Sequence, residues 1–290
     1  MTDFDEAHLG QVANEAGAAL RDLKKRMREL GSAPLQQTYS SEQACAAQAV
    51  TSALARVDDA FSGNRLSDPI LYCDCCTDPA FVARLTTTPR DALSEDDMAA
   101  VAGSLLYTLG EVNDFAYFVP RFCSDSLGSP LYDVDSVFAR FRYAGFDDWP
   151  DMQKCPVRAF LLAQWRFSLL CEPRRDLSSM SDPWLVTLDA IASTGDIEDA
   201  LNAWEITHAD SADARLLELL DRLDVSETAI SIVGVGGFAE NGEAYDTLSR
   251  WLQSPGVRAR IGAVLDASRV TDRDAAERIA GVLAALQRLM

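Results

Sequence analysis

The sequence predicts an all-α chain of stacked short antiparallel helices, an α-solenoid or HEAT-like array without a sharp repeat. Three observations point there. Apolar residues recur at spacings of three and four through most of the chain. Capping residues (Ser, Asp or Thr) stand repeatedly just before those periodic runs. Strict two-residue alternation is missing, and Ile230 to Val235 (ISIVGV) is the one strand-like run.

Taken in order, Glu6 to Leu30 keeps an apolar stripe and stops at Gly31. It carries RDLKKRMREL, whose Arg21, Lys24, Lys25, Arg26 and Arg28 read as a solvated basic face. A second helix runs from Ser41, as N-cap, to Phe61 and ends at Gly63. Next comes LYCDCCTDPAFVARL, in which Asp78 before Pro79 is a helix start and the helix covers Pro79 to Leu85. Ser94 to Asp97 forms an approximate capping box with Asp in place of Glu or Gln. It opens a helix with Met98, Val101, Leu105 and Leu109 on one face, ended by Gly110.

Asn113 opens DFAYFVPRF, and Pro120 implies a kink or an end there. Asp125 to Pro130 is a turn, and Val134 to Tyr143 is a helix with Val137, Phe138 and Phe141 inward. GFDDWP breaks the pattern, and Pro156 opens a helix carrying Val157, Phe160, Leu161, Trp165 and Leu169. The polar stretch Arg174 to Asp182 is the best linker candidate. It divides a helical N-terminal domain, residues 1–173, from a helical-pair subdomain, residues 182–290, which could equally be continuous with it. Beyond it follow Trp184 to Ala192, Ile197 to Thr207, a helix lined by Leu216, Leu217, Leu220 and Leu223, then Ser226 to Val233, Ala244 to Leu252, Pro255 to Leu265 and Thr271 to Leu289.

The totals narrow the function. The chain has 290 residues and a formal net charge of -19, which repels phosphate backbones and disfavours nucleic-acid binding. The same field attracts and steers a basic protein partner, although solubility alone accounts for it equally well. The start MTDFDEAHLG lacks a basic region leading into an apolar one, and no apolar stretch is long enough to span a bilayer, so the expectation is a cytoplasmic protein without a membrane partner. Seven cysteines, an odd number, then read as reduced thiols.

Chemistry-bearing patterns are few. Cys73 and Cys76 have the C-x-x-C spacing that can grip one zinc ion, but a structural site needs four ligands and no second such pair exists. A redox pair at a helix start is the other active reading, and buried thiols packing that start the inert one. GVGGFA, Gly234 to Ala239, fits a dinucleotide-binding glycine pattern but lacks the repeated strand–helix context; a loop between helices explains it as well. With His8 and His208 the only histidines, and with no nucleophile elbow, zincin or phosphate-loop motif, catalytic residues are not assigned. The acid pairs Asp58-Asp59, Asp96-Asp97 and Asp147-Asp148 follow from composition, and adjacent residues do not share a helix face.

From Cys73 to Leu170 the chain resembles a bacterial helical protein family that combines a C-x-C-C element, an acidic capped helix and a G-x-x-x-D-F-x-x-F-x-P-R segment. That segment is Gly110, Asp114, Phe115, Phe118, Pro120 and Arg121 here, followed by AGFDDWP and VRAFLLAQW. The resemblance carries no activity with it. It implies that Asp114, Phe115, Phe118 and Arg121 form an interaction or structural motif; one physical reading is that Arg121 pairs with Asp114 and anchors a helix junction. The leading functional expectation is therefore a non-enzymatic acidic interaction protein without a cofactor, of immunity or antitoxin-like type, that occludes a basic partner. The alternative is a zinc or thiol-redox protein centred on Cys73 to Cys76.

Overall fold

A computed structural model describes residues 40–128, 132, 134–171, 182–225, 230–232, 242–268 and 273–288. The expected first helix with its basic cluster, the 174–181 linker and the Gly234 to Ala239 loop lie outside the described residues. The fold is all-α, with one two-stranded hairpin among the described residues.

Helix α1 (Ser41–Phe61) is capped one residue earlier than the sequence predicts. Ser40 Oγ accepts from the Gln43 amide at 3.2 Å and Gln43 Oε1 accepts from the Ser40 amide at 2.9 Å. Its buried Val50, Ala53, Val57 and Phe61 face α7 (Asp151–Leu170), which contributes Val157, Phe160, Leu161, Trp165 and Leu169. The two run antiparallel. Gln43 Nε2 donates to the Leu170 carbonyl at one end (2.7 Å), and Gln153 Nε2 to Asn64 Oδ1 at the other (3.1 Å).

Between them come α2 (Pro79–Thr87), a 3-10 turn at Arg90–Ala92, α3 (Glu95–Ser104) and α4 (Val112–Asp125). Two short helices, α5 (Val134–Phe138) and α6 (Arg140–Tyr143), replace the single helix expected there. Pro156, expected to open a helix, and Pro120, expected to kink or end one, both lie inside helices. Pro120 sits within α4 and Pro156 within α7, each forgoing one backbone hydrogen bond. Dense burial on either side holds the helices through these gaps: Phe118, Val119 and Phe122 in one, Val157 and Phe160 in the other.

The second half contains α8 (Pro183–Thr194), α9 (Ile197–Ile206), α10 (Asp210–Arg222), α11 (Gly242–Gln253), α12 (Pro255–Ser268) and α13 (Arg273–Arg288). The inward leucines of α10 are Leu216, Leu219 and Leu220, with Leu217 only half-buried. Where a helix was expected from Ser226, Leu223–Val225 and Ile230–Ile232 form an antiparallel pair, β1 and β2, with Leu223 opposite Ile232. The expected cap Asp182 makes no side-chain cap bond and pairs with Arg222 instead.

Buried residues form one cluster from Val50 to Ile279. Helix α7 packs on α1 on one side and on α8, α9 and α10 on the other, so the second half shares its core with the first. Four tryptophans form part of that shared core. Trp165, Trp184 and Trp204 meet mutually at 5.1–6.3 Å, and Trp251 stacks on Trp204 at 5.2 Å. Among the described residues no helix is long and apolar enough to cross a membrane.

Candidate thiol site

The cysteine turn hangs from the end of α3. The sequence predicts that α3 continues through Leu109. It stops at Ser104 because Arg140 and the Leu71–Cys73 segment claim the next residues. The buried Arg140 guanidinium donates to the Leu105 carbonyl at 2.9 Å and lies 4.5 Å over the Tyr107 ring. Tyr72 bridges Leu109 in antiparallel fashion, with the Cys73 amide donating to Thr108 O (2.8 Å) and the Gly110 amide to Leu71 O (2.7 Å). The chain reverses at Leu106, whose φ of 66° is a left-handed value that a leucine adopts only under such constraint. Leu105 and Leu109 are still buried, so the helical period of the sequence is satisfied by a different backbone.

The backbone then coils. Cys76 and Thr77 amides both donate to the Cys73 carbonyl at 3.0 Å, and Thr77 Oγ1 donates to Thr108 O at 3.3 Å. Asp78 ends the turn as the predicted cap of α2, accepting from the Ala80 amide at 2.9 Å. Five residues are thus fixed by a strand-like pairing before them and a helix start after them.

This turn gathers three sulfurs. Cys73 Sγ lies 2.9 Å from Cys75 Sγ, which lies 3.4 Å from Cys76 Sγ, and all three are within 4.8 Å of one another. Cys75 and Cys76 are exposed and Cys73 half-buried. The Cys75 thiol, then the Cys75 amide and the Cys76 thiol, hydrogen-bond to Cys73 and lower its pKa. The same sulfur contacts, with Cys73 first and Cys76 next, push Cys75 up to about 11.

Beside Cys76 an open groove of about 310 Å³ is walled by Asp78, Phe81, Arg84, Asp96 and Asp97. Asp97 accepts from Ser94 Oγ (2.6 Å) and pairs with Arg84 (3.0 Å), and these bonds, Ser94 foremost, hold its carboxyl below the usual range.

The other sites foreseen from the sequence fall elsewhere. Cys123 and Cys171 are buried, and Cys45 and Cys155 lie exposed on α1 and α7 outside the cluster. His208 is exposed between α9 and α10, and His8 lies outside the described residues. Asp114, Phe115 and Phe118 are buried in α4. Asp114 accepts from the Ser67 amide (2.8 Å) and the Glu111 amide (2.9 Å). Arg121 does not pair with Asp114. It reaches Asp125 one turn on (2.8 Å) and donates to the Asp91 carbonyl (3.1 Å), because on a helix i and i+4 share a face.

The residue that spacing missed is Cys75. A C-x-x-C reading selects Cys73 and Cys76, and only the coiled backbone brings the residue between them onto the same side. No family model, curated protein or solved structure matches this chain.

Proposed function

We propose that this protein binds a thiophilic metal ion at the Cys73–Cys75–Cys76 turn. The observation that carries the reading is the convergence of three sulfurs within 4.8 Å on an exposed, braced turn. Thiolate sets of this kind select zinc or copper(I) over hard cations. The test is elemental analysis of the reduced full chain after it has been offered zinc and, separately, copper(I). One ion per chain is expected, lost on Cys73→Ser. A folded chain that takes up neither metal overturns the proposal.

A second reading rests on a different observation, the formal net charge of -19. In it the acidic exterior holds a basic protein by steered association, as an immunity or antitoxin-like protein does. Immobilised chain should retain from its own cell lysate a basic protein that high salt releases. Retention unaffected by salt, or none, removes this reading.

A further inference from the structure

We infer that the thiol turn is a three-coordinate copper(I) site in which Cys75 is an obligatory ligand; this rests on the metal-binding reading above. A structural zinc site closes its tetrahedron with four protein ligands. Among the described residues the converging group is three cysteines, with no histidine or carboxylate joining them. Of the three carboxylates of the adjoining groove, none joins that group, Asp96 included, and two are committed. Asp97 serves Arg84 and Ser94, and Asp78 caps α2. Three soft sulfurs with no fourth donor among the described residues suit a monovalent d10 ion that is content with three thiolates, which is copper(I).

The spacing agrees. Three sulfurs about 2.3 Å from one ion stand roughly 3.8–4.0 Å apart. The sulfurs here are 2.9 and 3.4 Å apart along the series. Side-chain rotation of the exposed Cys75 and Cys76 opens them without disturbing the turn, since its bonds are made by backbone and by Thr77. Binding displaces the thiol protons to solvent and involves no change of oxidation state, provided copper is supplied as copper(I).

Cys75 distinguishes this site from the C-x-x-C zinc site that spacing alone describes, which needs Cys73 and Cys76 and leaves Cys75 idle. The experiment is an anaerobic titration of the reduced full chain with copper(I) held by a chromophoric chelator, bathocuproine disulfonate, with and without prior zinc loading. One copper(I) per chain should leave the chelator, X-ray absorption should count three sulfur neighbours, and copper(I) should displace any zinc. Cys75→Ser should lower copper(I) affinity at least tenfold with an unchanged circular dichroism spectrum, whereas Cys45→Ser/Cys155→Ser should bind as the parent does. Parent-like copper(I) binding by Cys75→Ser, or zinc retained against copper(I), overturns the inference. A chain that binds zinc but not copper(I) sinks this inference and leaves the metal-binding reading standing; a chain that binds neither sinks both.

Discussion

Asp114 ties the start of its own helix to the Ser67 segment through one carboxylate. It is 1% exposed, sits in the first turn of α4, and accepts from the amides of Ser67 and Glu111. Gly110, just upstream, has a φ of 64°, and a Cβ there would stand 2.9 Å from the Asp114 Cβ, so glycine is required on both counts. Removing the carboxylate leaves two part-buried amides without their acceptor, each costing about 1–3 kcal/mol. Asp114→Ala should therefore lower the unfolding free energy by about 2–4 kcal/mol, and Asp114→Asn, which keeps one acceptor oxygen, by less. Urea denaturation measures both. A loss below about 0.5 kcal/mol for the alanine variant would mean that water replaces the carboxylate at both amides. The thiols show the same dependence on neighbours. Cys123 is buried and its thiol pKa is raised mainly by desolvation, whereas Cys73 is lowered by the donors of its own turn.

Helix starts were legible because their chemistry is local. Ser94 and Asp78 cap where the sequence places them, and Ser40 does so one residue before the expected Ser41. Apolar spacing likewise gave the inward face of α7 and the burial of Met98, Val101, Leu105 and Leu109. Helix ends set by remote partners were not legible. Nothing within Leu105 to Leu109 reports that Arg140 and the Leu71–Cys73 segment will take its carbonyls and amides. Pro156, read as a helix start, misled for the opposite reason, and Pro120, read as a kink or an end, does not end its helix, since the local cost of a proline in a helix, about 3 kcal/mol, is outweighed by burial invisible in the local sequence. The hairpin at Leu223–Val225 and Ile230–Ile232 was signalled by ISIVGV but absorbed into a helix, because short apolar runs satisfy either period. The thiol site was half legible. Composition and spacing singled out Cys73 and Cys76, and the direction of Cys75 depends on a turn closed by the Cys73 carbonyl.

At the scale of the molecule, α7 decides whether the chain unfolds as one body. Its buried Val157, Phe160, Leu161, Trp165 and Leu169 belong to a cluster that runs unbroken from α1 to α13. Trp165 also donates its indole N–H to the Ala200 carbonyl of α9 at 2.8 Å, and Arg158 donates to the Thr194 carbonyl at the end of α8 at 2.6 Å. Unfolding the second half would strip one side of α7 and expose Trp165, Leu169 and the tryptophan stack, which a helix also holding α1 cannot accommodate. One cooperative transition follows, despite the polar stretch that invites a division at 174–181. The fluorophores allow a direct test. Four of the five tryptophans lie in the stack around Trp204, and the fifth, Trp149, packs against Phe61 and Phe115 in the first half. Trp149→Phe makes emission a report on the stack alone, while far-ultraviolet circular dichroism reports on every helix. In urea the two probes should give coincident midpoints and slopes. A fluorescence midpoint displaced from the dichroism midpoint would show that the halves melt separately, and that α7 belongs energetically to only one of them.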